Sequence, residues 1–310
     1  MNIGFIKEAI VFTKELYYNR GKDFKLFNAN ADKGYYEHWF YLFLKARKIE
    51  FGDRKISFFS TVGPRIKMKL ISGKKIFYSG ENLERFERYS DRCLNDVNLS
   101  IGHDYIDHTN YVRIPFWVLS FIKPEITYSE IQTLFHNRIN LTSTDRSRFA
   151  AMIARHDVNG IRQKMVDAVA KIDHVEAAGH FMNNTSELID VYHNKHLKYL
   201  QNFYFNICPE NSNADGYVTE KLFNAILAGC IPIYNGSNNK PDPFVFNSNA
   251  IIFFDEYDPS EMDEKLRYLW SNKRALKAFL DQPRFMPTAA DYTWNMLNTL
   301  EGKLRSILNG

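Results

Sequence analysis

Residues 210–236, ENSNADGYVTEKLFNAILAGCIPIYNG, constrain the fold more than any other part of the chain. The apolar run 203–208 ahead of them reads as a buried strand, ended by Pro209 and a polar loop. Thr219 stands at the N-cap position of a helix in which Leu222, Phe223, Ile226 and Leu227 recur at helical spacing. Gly229 stops that helix, and residues 231–234 read as the next strand. Strand, loop, helix and strand in this order make the unit of a parallel α/β sheet. Ligands of such sheets bind beyond the carboxyl ends of the strands, where Glu210, Asn211 and Tyr217 fall.

Lys221 is the oddity of the stretch. A cation in the first helical turn opposes the macrodipole, unless an anion shares the place with it and with the free backbone N–H groups. Glu220 beside it is an acceptor suited to ribose hydroxyls. A solvated lysine after an ordinary acidic residue is the other reading of the same two positions.

These residues resemble the signature of the α1,3/4-fucosyltransferases, in which KFNxxxENS runs into YVTEK, a helix and PIYWG. Here the corresponding segments are YFNICPENS, GYVTEKL and IPIYNG, aligned without a gap over residues 204–236. Asn235 departs from the pattern, standing where the family has Trp. The resemblance implies an α/β fold of two Rossmann-like domains facing a cleft, the GT-B glycosyltransferase architecture. It implies inverting transfer of L-fucose from GDP-β-L-fucose to a GlcNAc-containing glycan, most simply in α1,3 linkage, without a metal cofactor. Glu210, Asn211, Ser212, Tyr217, Thr219, Glu220 and Lys221 would then bind the donor.

Composition agrees with such an enzyme. A chain of 310 residues has room for two domains, and 45% hydrophobic with 25% charged residues is the balance of a soluble globular protein. Forty basic against 36 acidic residues leave +4, too little for a dedicated nucleic-acid binder. Cys93, Cys208 and Cys230 have no metal-ligand spacing and read as reduced, buried hydrophobes of a cytoplasmic protein. Residues 1–20 carry Lys7, Glu8, Lys14 and Glu15, which argues against a signal peptide, and no run approaches the roughly 18 apolar residues of a membrane span. Golgi members of the family have an anchor and stem, so the expectation is a bacterial or viral soluble form, with peripheral contact to the inner membrane face left open.

In the N-terminal half, Ile3, Ile6, Ile10 and Tyr17 mark an amphipathic first helix. Residues 25–29, 55–60 and 74–78 read as strands, with a helix over 36–46. The last strand ends in IFYSGEN, similar to the VFYxGEN of bacterial family members, whose Glu is the general base. On that match Glu81 is catalytic, taking the proton of the attacking sugar hydroxyl. Capping of the following helix is the competing reading of Glu81. Asn82, His103 and Asp104 are candidates for acceptor binding, and Arg113 for the same edge. His103 and His108, with Asp104 and Asp107, lack the spacing of a metal site, so no metal is assigned. Residues 116–121 form an apolar patch that is either core or an acceptor wall.

The polar segment 137–148 is the best linker, dividing an acceptor domain, 1–140, from a donor domain, 141–310. Residues 149–154 open the second domain as a strand. Arg162 matches the family's phosphate-binding Arg by position, although Arg155 and His156 replace its usual Ser-Asn. A guanidinium suits a pyrophosphate because its planar fork donates two parallel hydrogen bonds. Residues 175–184 parallel a family segment in which Gly179 supports a tight turn. Residues 251–254 read as a further strand, helices follow from about 260 and 273, and a final helix over 292–308 would pack back on the first domain. There is no Gly-x-Gly-x-x-Gly, P-loop or Asp-x-Asp, which excludes the usual signatures of dehydrogenases, NTPases and metal-dependent single-Rossmann transferases. Another nucleotide-sugar donor on the same fold and a non-catalytic glycan-binding module remain as alternatives.

Overall fold

The computed structural model describes residues 3–28, 35–50, 55–136 and 146–309, so most of the expected linker lies outside the described residues. The chain forms two compact units, Met1–Tyr128 with Thr293–Gly310, and Ser129–Tyr292.

The first unit runs α1 (Ile3–Tyr18), β1 (Phe24–Phe27), α2 (Tyr35–Ala46), β2 (Ile56–Phe59), the single turn α3 (Lys67–Leu70), β3 (Lys74–Tyr78), β4 (Leu99–Gly102), β5 (Tyr111–Arg113) and α4 (Phe116–Phe121). Its five strands are all parallel and lie in sequence order. Parallel strands are covered on both faces, so they need near-continuous apolar runs, and every residue of β2 and β4 is buried. Phe40 of α2 closes one face, its ring 4.9 Å from Phe58 and 5.2 Å from Tyr78. Trp39 stacks on Phe43 and donates from its indole to the Ile122 carbonyl at 2.7 Å. The apolar patch 116–121 is α4, with Trp117, Val118 and Leu119 buried.

Of the four residues expected to mark the buried face of the first helix, the side chains of Ile3 and Ile6 lie outside the described residues, and Ile10 and Tyr17 face outward. Phe12 packs on Phe27 and the cluster around Phe59, Phe77 and Tyr89. Glu15 turns inward as well, pairing with the buried Lys67 at 2.6 Å and accepting from the Asn28 amide at 2.9 Å. Those two contacts compensate Lys67, which is 2% exposed, and they fix the helix rotation. Ile10 and Tyr17 are thereby left 51% and 80% exposed.

α5 (Tyr128–His136) leads into the second unit, which continues through β6 (Arg148–Met152), α6 (Ile161–Val169), β7 (Val175–Ala177), α7 (Glu187–Asp190), α8 (His196–Leu200), β8 (Phe203–Pro209), α9 (Glu220–Leu227), β9 (Ile231–Asn235), β10 (Ile252–Phe253), α10 (Ser260–Ser271), α11 (Lys273–Leu280) and α12 (Ala289–Asn309). Its sheet is also parallel, in the order β10-β9-β8-β6-β7. Counted from β6 this is 2-1-3-4-5, the doubly wound order with a switch point between its first and third strands. Asn206, in the middle of β8, is 4% exposed and donates to the Ala151 carbonyl at 2.9 Å, which satisfies a polar group inside the sheet.

From Thr293 onward α12 belongs to the first unit. Leu297, Leu300, Leu304 and Leu308 are buried at helical spacing, each a position where alanine costs about 2–5 kcal/mol. Lys303 donates to the Thr109 carbonyl at 2.6 Å, and the Arg47 guanidinium lies 4.5 Å from the Trp294 ring centre. Cys93, Cys208 and Cys230 are buried and unbridged, and burial pushes the Cys93 thiol up to about 12 and that of Cys230 to about 11.

Candidate active site

The switch point of the second sheet lies between β6 and β8, and the loops leaving those two strands carry a connected polar network. Glu210 follows β8 directly, its amide donating to the Asn235 carbonyl at 2.8 Å, so it is held as a continuation of the strand. Its carboxylate is only 1% exposed. One oxygen accepts from the Thr219 amide at 2.8 Å and the Tyr234 hydroxyl at 3.3 Å; the other accepts from the Thr219 hydroxyl and from Lys221 Nζ at 3.2 Å. A buried carboxylate needs this degree of compensation. Gly236 makes room for it, because a Cβ there would lie 2.5 Å from Glu210 Cγ and 2.8 Å from the Tyr234 hydroxyl. Its φ of +153° also favours glycine.

Thr219 is the N-cap residue of α9, yet its side chain makes no capping bond. Its hydroxyl instead donates to Glu210 and accepts from Lys221 Nζ at 2.9 Å. Burial alone would lower the Lys221 pKa, but Glu210 and Glu220 outweigh it and hold the ammonium above its ordinary value. The lysine that opposes the helix dipole therefore has a built-in anionic partner in Glu210, with Glu220 3.7 Å away. One of its three donor directions has no hydrogen bond among the described residues, and its side chain is 22% exposed.

Arg162 stands in the first turn of α6, after the loop from β6, and donates to Asn211 Oδ1 at 2.6 Å. That bond joins the two loops across the switch point. Burial depresses the guanidinium's pKa, opposed by Asp157 and Glu210, and no carboxylate among the described residues lies within ion-pair distance. The two helix starts differ. Asp157 accepts from the Gln163 amide at 2.9 Å and so caps α6, whereas the N-cap Thr219 of α9 gives no side-chain cap and none is seen among the described residues. Glu220 is partly exposed, Ser212 is half-buried, and Tyr217 is buried. Gly179 serves a close approach rather than a left-handed turn: a Cβ would fall 2.0 Å from the Ala154 carbonyl oxygen. Asn184 pins the same loop, donating to the Val175 carbonyl at 2.9 Å and accepting from the Ala177 amide at 2.8 Å.

In the first unit, the loops after β3 and β4 bring Glu81, Asn82, His103 and Asp104 to one edge of adjacent strands. Glu81 is half-buried; its amide donates to Ser79 Oγ at 3.1 Å, and that hydroxyl donates back to its carbonyl at 3.0 Å. It is not the cap of the next turn. Asn82 is, its side chain accepting from the Glu84 amide at 3.1 Å. Asp104 accepts from Arg92 at 2.7 Å and sits near the Tyr111 hydroxyl. Burial works against its charge, but Arg92 and His103 hold its carboxyl below the usual range. His103 is 2% exposed, with Nε2 3.9 Å from Asp104. Arg113 donates to the His103 carbonyl at 2.8 Å and lies 4.2 Å from the Tyr105 ring centre. Among the described residues no three His, Cys, Asp or Glu side chains are grouped so as to hold a metal.

Comparison with known proteins gives these positions a family. The C-terminal domain of glycosyltransferase family 10 (fucosyltransferase) matches residues 143–299, half of the chain. The chain belongs to glycosyltransferase family 10. The N-terminal domain of the α-(1,3)-fucosyltransferase FucT type matches residues 23–120. The α-(1,3)-fucosyltransferase FucT of Helicobacter pylori is 27% identical over 258 residues, which are 75% of this chain and 49% of that protein. This family 10 chain thus spans about half the length of that relative. The α-(1,3)-fucosyltransferase B of Drosophila melanogaster is 33% identical over 92 residues, 30% of this chain and 21% of the fly protein. A crystal structure of an α1,3-fucosyltransferase superposes with a TM-score of 0.67 at 20% identity, covering 93% of this chain and 90% of the other. One with GDP-fucose gives 0.57 at 21% identity, covering 82% and 79%. The family 10 fold, two parallel-sheet α/β units of the GT-B kind, is thereby established. Tyr234 and Arg92 support these sites with no role read for them in the sequence, whereas Gly236 closes the IPIYNG segment and Asn184 closes the segment 175–184 that parallels the family.

Proposed function

We propose that this chain is an inverting glycosyltransferase moving L-fucose from GDP-β-L-fucose to a hydroxyl of a GlcNAc-containing glycan, in α1,3 linkage. The observation that carries the reading is the cationic site at the switch point. Among the described residues Arg162 has no carboxylate within ion-pair distance, Lys221 is held charged with a donor to spare, and the N-cap Thr219 leaves the start of α9 without a side-chain cap of its own. A diphosphate matches that combination of guanidinium, ammonium and free helix N-terminus. Membership of family 10 supports guanosine and fucose as the rest of the donor.

In this reading the second unit, Ser129–Tyr292, holds the donor and the first the acceptor. The bond from the anomeric carbon to the β-phosphate oxygen breaks, and GDP leaves with the electron pair. The acceptor oxygen bonds to the opposite face of that carbon and gives its proton to Glu81. Arg162 and Lys221 offset the charge that grows on GDP. Asn211, Glu210 and Thr219 act as positioning residues, the first for Arg162 and the other two for Lys221. Glu220 accepts from the ribose hydroxyls, Ser212 and Tyr217 complete the donor loop, and Asn82, His103 and Asp104 shape the acceptor edge. No metal is assigned a role. The three buried free cysteines support a reducing, cytoplasmic setting.

The test is thermal stabilisation by nucleotides. GDP and GDP-fucose should raise the melting temperature more than UDP-sugars at equal concentration, by mass action on the folded state. Equal or greater stabilisation by UDP-sugars would overturn the donor assignment.

A further inference from the structure

Helix α1 lies outside both matched family domains, which begin at residues 23 and 143. Among the apolar residues of α1 whose side chains are described, Phe12 serves the core, while Ile10 and Tyr17 lie on the opposite face and Val11 and Tyr18 on its flank, each at least half exposed. An exposed apolar stripe of this length on a helix needs something to cover it. The charges around it show what. Lys7 and Lys14 are exposed and fall on the same face as Ile10 and Tyr17, at the three- and four-residue steps of a helix. Arg20 and Lys22 continue the exposed basic run, and Lys22 Nζ sits 3.3 Å from the Tyr18 ring centre. Of the two acidic residues of α1, Glu15 is turned inward onto Lys67, and only Glu8 is exposed.

We infer that the outer face of α1 docks on an anionic lipid surface. Lysines interleaved with the apolar stripe fit poorly in a protein interface, whose core is depleted of Lys. A two-fold pairing of α1 with a second copy would set these lysines against their counterparts, a like-charge contact that costs affinity. A bilayer accepts both kinds of residue at once. Isoleucine and valine enter the acyl boundary, tyrosines rest at the headgroup level, and lysine stems lie along the surface with their ammonium groups on the phosphates. No helix among the described residues is long and apolar enough to cross a membrane, so α1 would lie in the interface plane.

The experiment is flotation of the full chain with vesicles of phosphatidylcholine alone and of phosphatidylcholine with one quarter phosphatidylglycerol. The chain should float with the anionic vesicles, much less with the neutral ones, and less as salt is raised. The double variant Lys7→Ala/Lys14→Ala should weaken partitioning about thirtyfold, each lysine near an anionic surface being worth roughly a factor of five. Ile10→Glu/Tyr17→Glu should abolish flotation. Both variants should keep the wild-type melting temperature and its shift with GDP, because none of the four residues touches the core or the switch-point site. Failure of the wild-type chain to float with anionic vesicles would overturn the inference, whatever happens to the GDP shift. So would flotation that both variants retain. A concentration-dependent dimer that Ile10→Glu/Tyr17→Glu dissociates, without vesicle binding, would assign the face to a second copy instead.

Discussion

The two units contain sheets of the same size and sense, yet only the second turns back on itself. In the first, β1 to β5 are laid side by side in chain order, so their carboxyl ends form a row. The groups on that row, Glu81, Asn82, His103 and Asp104, are each held by near neighbours: Ser79, the next turn, Asp104 and Arg92. In the second, the order reverses between β6 and β8, and the loops leave in opposite directions. The gap so formed is crossed by the Arg162–Asn211 bond and floored by Glu210. A row of strand ends presents separate side chains to a surface-bound molecule; a reversal gathers cations around one place. The proton acceptor and the charge sink of the proposed reaction fall on these two kinds of edge.

The strongest way to break that comparison is Glu81→Gln. The amide keeps the shape of the side chain but cannot take a proton, and loss of a general base typically lowers the rate by about 10²–10⁴. Binding of GDP-fucose should stay close to wild type, since the row of the first sheet is assigned no part of the nucleotide. Turnover and donor affinity measured on the same variant decide it. Near-normal turnover would move the base elsewhere, and joint loss of turnover and GDP binding would make Glu81 structural.

Next in size are Arg162→Ala and Lys221→Ala, each expected to cost about 2.7–4 kcal/mol in transition-state stabilisation, as removal of one preorganised charge-stabilising donor does elsewhere. For Lys221 the structure adds a complication that sharpens the test. Its removal strips a buried carboxylate of a partner, so alanine destabilises the loop as well. The pair Glu210→Gln/Lys221→Met removes both charges together. If Lys221 merely balanced Glu210, kcat/KM would recover in the double variant; if it is the charge sink, kcat/KM stays low while the melting temperature recovers.

The sequence made one side of this comparison far easier to read than the other. Residues 203–236 form strand, loop, helix and strand close to the expected bounds because each boundary carries its own chemistry: Pro209, Thr219 and Gly229. The strands at 74–78 and the helix starting at Lys273 were equally legible. β4 and β5 were not, being four and three residues long, with Ser100 and Gly102 interrupting the apolar run. The orientation of α1 was also hidden, because Glu15 and Lys67 are 52 positions apart and neither signals burial by itself. Within the site, residue types point to Lys221 and Arg162, but not to the pairing of Lys221 with Glu210, which its place past a strand end and the family resemblance make a donor contact; Glu210 is 1% exposed and engaged by four donors.

A smaller effect is expected of Asp104→Asn, which tests whether the first sheet's edge has a second base. Asp104 is paired with Arg92, and its folded pKa is depressed below the ordinary value of 3.8. A carboxylate stabilised in this way contributes fully above the unfolded value, and that contribution is lost as pH falls through the lower, folded value. Asparagine should therefore lower stability at neutral pH by about 1.5–3 kcal/mol, the range for a hydrogen bond to a charged group, and reduce the loss of stability on acidification. Turnover should fall far less than in Glu81→Gln. Urea unfolding at neutral and acid pH, together with kcat, separates an anchor from a base. A rate loss matching that of Glu81→Gln would give the edge two catalytic carboxylates.

The smallest expected effect is no effect, and it bears on the second sheet. A nucleotide diphosphate leaving group must be neutralised as its bond to the sugar breaks, and the alternatives are a divalent ion or fixed protein charges. At the switch point the fixed charges are accounted for individually. Arg162 is oriented by Asn211, Lys221 is held charged by Glu210 and Glu220, and among the described residues no side chain caps the first turn of α9. The nearby carboxylates are ill suited to a metal, since Glu210 is engaged by four donors and Glu220 lies 3.7 Å from the competing ammonium of Lys221. Fucose transfer in excess EDTA should then proceed at the untreated rate, while Arg162→Ala remains slow whether or not magnesium or manganese is added. Loss of nearly all activity with EDTA, restored by either ion, would mean that the reversal of the sheet gathers an ion and not only side chains, and the contrast between the two edges would have to be redrawn around it.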